Sequence, residues 1–329
     1  MASMTPVAPL ATLATAVLIW ATTFVVSASA LDSTSPAVLT VLRFALAAAV
    51  LVPPAVRRSG LGRVLRAPMT AGLGLTGVAA YYGLQNLGLL YTSAGTAALL
   101  QAVLPVATAG LAALVLRERV PAGARLGLVV ATAGVVLVAA AGARFDGGAV
   151  LVVAGVLAYA VYTVLLRRLG SQPIAQVAGP SIVSAADPVV LAAATALWGL
   201  VFLIPWQLAE IAAGNAQLPV GTAAISATLY LGVVASGGTL LLWTYGASHT
   251  PASVSGILTA AIPALGYALA VLTGEQATWS KTAGGILAVT GVVLASYSAT
   301  RRIAHASTSA AAPQRARRPH KTHSSSGTE

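Results

Sequence analysis

The chain has no cysteine, which excludes a disulfide framework and thiolate metal ligation. Charge is almost as scarce. Only 8% of the 329 residues are Asp, Glu, Lys or Arg, against about 25% in a typical soluble domain. So few charges cannot coat a water-facing surface. With 57% hydrophobic residues and a mean hydropathy of +0.87, the chain needs lipid as its solvent. Lipid-facing backbone must bond within its own segment, so helices are the expected form. Histidine is rare: His305, His320 and His323 lie near the C-terminus, and His249 stands alone between two apolar runs, which suits a loop better than a metal site. No spacing spells a P-loop, a zinc site or a Ser-His-Asp triad. Gly72 to Gly77 reads G-x-G-x-x-G, but inside an apolar run with no strand before it. Those glycines are read as helix-packing positions, as are Gly123 and Gly127. No cofactor and no metal are expected.

What the chain has is long apolar runs. A membrane span needs about 20 such residues, and ten runs qualify: roughly 10–30, 36–56, 68–90, 93–116, 123–142, 148–166, 188–206, 223–246, 251–273 and 282–299. The first ends in Ala28-Ser29-Ala30, like a signal-peptide cleavage site, but no Lys or Arg precedes it, so it is read as a span. Asp187-Pro188 is a strong helix start, with Asp as N-cap and Pro at the first helical position. It leaves 170–186 as the longest internal connection.

Basic residues are asymmetric across this pattern. Arg57, Arg58, Arg63, Arg66, Arg117, Arg119, Arg125, Arg167, Arg168, Arg301 and Arg302 fall on one side, and only Arg144 and Lys281 on the other. The acids Asp32, Asp146, Glu210 and Glu275 fall on the arginine-poor side. By the positive-inside rule both termini are cytoplasmic. The formal charge of +11 therefore reads as topology signalling, and no nucleic-acid partner is expected.

Two segments repeat. Thr92 matches Thr250 and Pro105 matches Pro263, offset by 158; Glu118 matches Glu275, Gly127 matches Gly284 and Gly134 matches Gly291, offset by 157. Five spans per half is odd, so the second half is expected to be inverted, the arrangement from which alternating-access transporters are built. The expected fold is an all-α integral membrane protein of ten transmembrane helices as two inverted five-helix repeats. The repeats cover 10–142 and 148–299, and a disordered basic cytoplasmic tail covers 300–329.

The residues resemble a known family. Trp20-Ala-Thr-Thr-Phe24, Pro36 with Arg43-Phe44, and the run Ser93-Ala94…Pro105…Glu118…Gly127…Gly134 with its second copy are similar to the drug/metabolite transporter superfamily, specifically the ten-span group with two EamA-type repeats. Tyr159-Ala-Val-Tyr162 before Arg167-Arg168 looks like that family's sixth span. The long uncharged 170–186 connection departs from the pattern. The resemblance implies a basket of helices around a central cavity and export of metabolites, amino acids or toxic compounds.

Site residues are sought at span centres near the repeat interface. Pro105 and Pro263 are expected to kink the fourth and ninth spans and to free the carbonyls of Gln101 and Thr259, four residues earlier. Alternatively, those polar side chains only satisfy the local backbone. Trp20 and Thr23 lie in the first span, Tyr82, Gln85 and Asn86 in the third, Tyr159 and Tyr162 in the sixth, Trp243 in the eighth and Tyr267 in the ninth. Tyr81 shares a helical face with Gln85, and Tyr82 with Asn86; one stripe is expected to face the centre. Tyr91, Tyr230, Tyr245 and Tyr297 suit an interfacial belt. Arg43 is the charge set deepest in a span and either binds a substrate carboxylate or serves the fold. Glu118 and Glu275 are expected to cap helix ends.

No carboxylate sits at a span centre, so the expected transporter is a facilitator or exchanger rather than a proton-coupled carrier. Its partners are a small-molecule substrate and the lipid bilayer, and its place is the plasma (inner) membrane. An importer, or an exchanger of the organic-anion or nucleotide-sugar type, has the same fold. A membrane enzyme would need acid, base and nucleophile clustered at one depth. The charges here are scattered at the rims, which argues against an enzyme; a scaffold is a distant alternative.

Overall fold

A computed structural model describes residues 7–117, 122–139, 147–170, 187–250 and 252–310. Glu118, Arg119, Arg144, Asp146, most of the 170–186 connection and the tail beyond Ala310 lie outside the described residues. Among the described residues the chain is helical, without strands. Six helices are long and apolar enough to cross a membrane: Val7–Leu31, Pro36–Val56, Ala94–Val115, Gly147–Leu166, Pro188–Ala212 and Gly221–Ala247. Ala124–Ala139, Ile262–Leu272 and Trp279–Ala295 are shorter apolar helices.

In chain order, α1 is Val7–Leu31, α2 Pro36–Val56, and α3 the short Leu61–Leu65. A helical path then runs through α4 (Pro68–Gly74), a π-helical stretch Leu75–Ala80 and α5 (Tyr81–Leu89). It is followed by α6 (Ala94–Leu100), α7 (Val103–Val115) and α8 (Ala122–Ala139). The rest comprises α9 (Gly147–Gly170), α10 (Pro188–Ala212), α11 (Gly221–Leu229), a second π stretch Tyr230–Gly238, α12 (Thr239–Ser248), α13 (Ala252–Thr259), α14 (Ile262–Leu272) and α15 (Trp279–Ala310).

Several boundaries differ from the sequence reading. α10 runs past 206 to Ala212, and α15 past 299 to Ala310, so the start of the expected disordered tail is helical. The helices break within the turn that precedes each proline. The breaks fall at Gln101–Ala102, between α6 and α7, and at Ala260–Ala261, between α13 and α14. The Gln101 carbonyl is not freed: it accepts the Leu104 N–H at 3.0 Å. The Pro105 ring cannot approach that carbonyl and brings no N–H, so the chain tightens into three-residue turns.

Packing exchanges the halves. α1 packs on α12 and α14, and α9 packs on α5 and α7; α2 lies along α10, and α8 along α15. Lipid gives little hydrophobic drive between helices, so close backbone approach matters more. At α8–α15 that approach requires glycine. A Cβ on Gly127 would collide with Gly291 and Ala295, and one on Gly134 with Gly284 and Ala288. The contacts run in opposite order along the two helices, so α8 and α15 are antiparallel. Gly74 lies against Trp198 and Gly199, and Gly77 against the Tyr162 ring, the packing role expected of that glycine-rich stretch.

Helix ends are closed by carboxylates. Asp187 caps α10, accepting Val189 N–H at 2.8 Å, and pairs with Arg58 at 3.2 Å just past α2. At the other end of the same helix pair, Glu210 accepts Ser35 Oγ at 2.6 Å and Ala37 N–H at 3.1 Å, closing the start of α2. Glu275 does the same for α6: its Oε1 accepts Ser93 Oγ at 2.6 Å and Lys281 Nζ at 2.9 Å, and its Oε2 accepts Gly95 N–H at 2.8 Å. Burial pushes the Glu275 carboxyl up, but the hydrogen bonds from Ser93, Lys281 and Gly95, with the Lys281 charge, outweigh it and hold the group below its ordinary value.

Candidate functional site

α2 presents Thr40, Arg43 and Phe44, and α5 presents Tyr81, Tyr82, Gln85 and Asn86. The π stretch before α5 adds a residue to its turn and re-aims the α5 side chains; such bulges are frequent at functional sites. Tyr82 is the hinge of the group. Its ring packs edge-on to Phe44 at 4.8 Å and to Tyr81 at 4.6 Å, and Arg43 Cζ sits 4.4 Å from its centroid. Tyr81 meets Tyr159 of α9 at 4.7 Å, and Tyr159 meets Tyr162 at 5.0 Å. The Tyr81 hydroxyl donates to Gln101 Oε1 at 3.0 Å, and Gln101 Nε2 reaches Gln85 Oε1 at 3.5 Å. Both stripes of α5 are engaged, not one. Tyr81 is part of the same cluster as Tyr82.

Arg43 is 1% exposed. Its Nε donates to Ser236 Oγ at 2.8 Å, in the second π stretch, while Nη1 has no hydrogen-bond partner. Among the described residues no carboxylate pairs with it. On insertion scales an arginine at a span centre costs about 2.5–3.5 kcal/mol. A desolvated cation–π contact returns about 2 kcal/mol, and one hydrogen bond to a charged group about 1.5–3. The placement roughly balances, yet one donor edge remains without a partner. Asn86 is fully buried. Its Nδ2 donates to Thr40 Oγ1 at 2.9 Å, and its Oδ1 has no partner.

The other expected site residues are placed apart from this group. Trp20 of α1 tilts against Trp243 of α12 at 5.1 Å, a second aromatic contact between early and late parts of the chain. The buried Thr23 hydroxyl donates to the Trp20 carbonyl at 2.7 Å. Thr259 donates to the Ser255 carbonyl of its own helix at 3.2 Å. Tyr267 lies beside Gly95 and bonds Thr282 at 3.2 Å, near the Glu275 cap. Tyr230, expected in an interfacial belt, instead bonds Thr22 of α1 at 2.7 Å. Ser236 and Thr40 are not singled out by sequence, and Phe44 only as part of the family resemblance; a small hydroxyl in an apolar run carries no distinguishing signal. Among the described residues no group of three or more His, Asp or Glu could hold a metal ion.

The fold and this buried aromatic–amide cluster define a multi-pass helical membrane protein with a polar centre. Residues 8–140 and 146–297 each match the EamA-like transporter family, and the chain belongs to that family. It is 32% identical over 300 residues to a Streptantibioticus cattleyicolor protein named a "probable terminal-alkyne amino-acid exporter", covering 89% of this chain and 94% of that one. It is 26% identical to an uncharacterized transporter of Archaeoglobus fulgidus, over 86% of this chain and 96% of that one. A crystal structure 23% identical in sequence shares the fold, with a TM-score of 0.61 over 89% of this chain and 98% of that chain. The family and these relatives are named as transporters, not enzymes.

Proposed function

We propose that the protein is a secondary transporter of the plasma membrane that exports a small organic metabolite, amino acid or drug-like compound by alternating access. The observation that carries this reading is the buried cluster shared between the two family-matching halves. Arg43 of the first half bonds Ser236 of the second, and Tyr81 of the first tilts against Tyr159 of the second. Solute sites at repeat interfaces are the rule in such carriers. The amino-acid exporter name of the Streptantibioticus relative favours a small amphipathic solute, which an aromatic cluster with amides and one cation would suit.

The reading takes ten spans, with α4–α5, α6–α7, α11–α12 and α13–α14 each forming one. Supporting the inversion, repeat-equivalent glycines meet crosswise, Gly127 with Gly291 and Gly134 with Gly284. A second half turned within the membrane plane, without inversion, would bring Gly127 to Gly284. Both termini then face the cytoplasm, on the arginine-rich side. Without a carboxylate among the central site residues, the carrier runs on the substrate gradient as a facilitator or exchanger.

Reconstituted protein is expected to move a labelled amino acid down its gradient faster than protein-free liposomes do, with no change in final distribution under an imposed pH gradient. No protein-dependent flux across a panel of amino acids and amphiphiles contradicts transport. Uphill accumulation driven by the pH gradient contradicts the facilitator.

A further inference from the structure

The geometry points to a zwitterion-reading subsite on the α2–α5 seam, resting on the transport reading above. Arg43 Nη1 takes a carboxylate oxygen of the solute, Asn86 Oδ1 takes its ammonium N–H, and the tyrosine group holds an apolar side chain.

Two complementary orphans carry the argument: a cationic donor and a neutral acceptor, each on a side chain at most 1% exposed. Neither is an accident of how an amide or a guanidinium was turned. Thr40 gives its one hydroxyl proton to the Pro36 carbonyl at 2.6 Å. It can therefore only accept from Asn86, which sets the Asn86 nitrogen toward Thr40 and leaves the oxygen as the open atom. Arg43 is likewise held, by Ser236 at Nε and by the Tyr82 ring. The two anchored contacts, Arg43–Tyr82 and Thr40–Asn86, are successive rungs of one helix pair, three residues apart on α2 and about 5 Å along it. An α-amino acid carries its carboxylate and its ammonium on one carbon, the pair of charges that a cationic donor and a neutral acceptor on neighbouring rungs can read. Buried polar groups are normally partnered; among the buried atoms left without a partner, these two are a cationic donor and an acceptor on neighbouring rungs beside the tyrosine cluster. A water could bond either atom, but it cannot neutralise the guanidinium; a carboxylate both bonds Nη1 and neutralises its charge.

The test measures flux through proteoliposomes of the full chain for three labelled probes: phenylalanine, phenylalaninamide, which lacks the carboxylate, and 3-phenylpropionate, which lacks the ammonium. Wild type is expected to prefer phenylalanine about tenfold over each analogue, the value of one charge-assisted hydrogen bond. Arg43→Gln removes the preference over the amide. Asn86→Leu removes the preference over 3-phenylpropionate and keeps the other. The wild-type series decides alone should a variant fail to fold. Equal flux of phenylalanine and phenylalaninamide through the wild type overturns the subsite and leaves transport standing. No protein-dependent flux of these or of the wider panel overturns the transport reading, and the subsite with it.

Discussion

Glu275 is partly buried and Arg43 fully buried, and the protein treats the two charges in opposite ways. Glu275 sits where a helix begins. Its two oxygens together receive a hydroxyl, an ammonium and a backbone N–H, and two sequence-distant partners, Ser93 and Gly95, hold it across the fold. Arg43 sits within a helix span, held by one hydroxyl and one ring face, with a donor edge left over. A satisfied charge strengthens the fold and offers nothing to a ligand. A charge held in place but not satisfied is stored binding capacity. On the proposed reading, stability falls to the helix ends and recognition to the middle.

Variants can break that division. The largest effect is expected for Arg43→Gln, which lowers flux of a carboxylate-bearing solute by roughly ten- to a hundredfold and leaves the protein monodisperse. If flux survives and the protein aggregates, Arg43 belongs with the structural charges. Gln101→Ala is expected to lower flux by about three- to tenfold, since it loses the bonds to Tyr81 and Gln85. Thr259→Ala, whose hydroxyl is back-bonded to its own helix, changes flux by about twofold or less. The reverse ranking would move the site toward α13.

Glu275→Gln should do the opposite of Arg43→Gln. It lowers the melting temperature by about 2–8 °C and leaves the ratio of solute fluxes unchanged. The same carboxylate sets a pH dependence. Its folded-state pKa lies below the ordinary 4.5, so its stabilisation is present in full above that value. Wild type should therefore hold its melting temperature from neutral pH to about pH 5. It should then lose stability as the pH falls through the lower folded value, and Glu275→Gln should lose that part of the slope. The smallest effect belongs to the exposed Arg58–Asp187 pair, 42% and 41% exposed at its side chains. Arg58→Ala is expected to shift the melting temperature by no more than about 2 °C.

The membrane helices are largely legible in the sequence because long apolar runs leave few alternatives, and Asp187-Pro188 marks its helix start plainly. Where sequence and structure part, a tertiary contact has overridden local chemistry. Gln207 and Glu210 look too polar to continue α10, yet the helix extends to Ala212 because the start of α2 takes the Glu210 carboxylate. The prolines announce irregular helices, and hydrogen bonding places the breaks within the turn before each. Nothing in the sequence marks a π stretch, since its side chains are those of any apolar helix. The cluster is half legible: Arg43, Tyr82, Gln85, Asn86, Gln101, Tyr159 and Tyr162 are polar or aromatic at span centres. Both stripes of α5 find partners, Tyr82 on α2 and Tyr81 on α9. Ser236 is invisible because a serine in a glycine-rich run reads as a packing residue.

The absence of cysteine makes the central claim directly testable. A single cysteine at Gln101 can be probed in sealed vesicles with a membrane-impermeant maleimide applied from one side and then, in separate vesicles, from the other. Alternating access predicts labelling from either face, slowed in both cases by transported solute. Labelling from one face only, or from neither, would contradict a site that opens in turn to each side of the membrane.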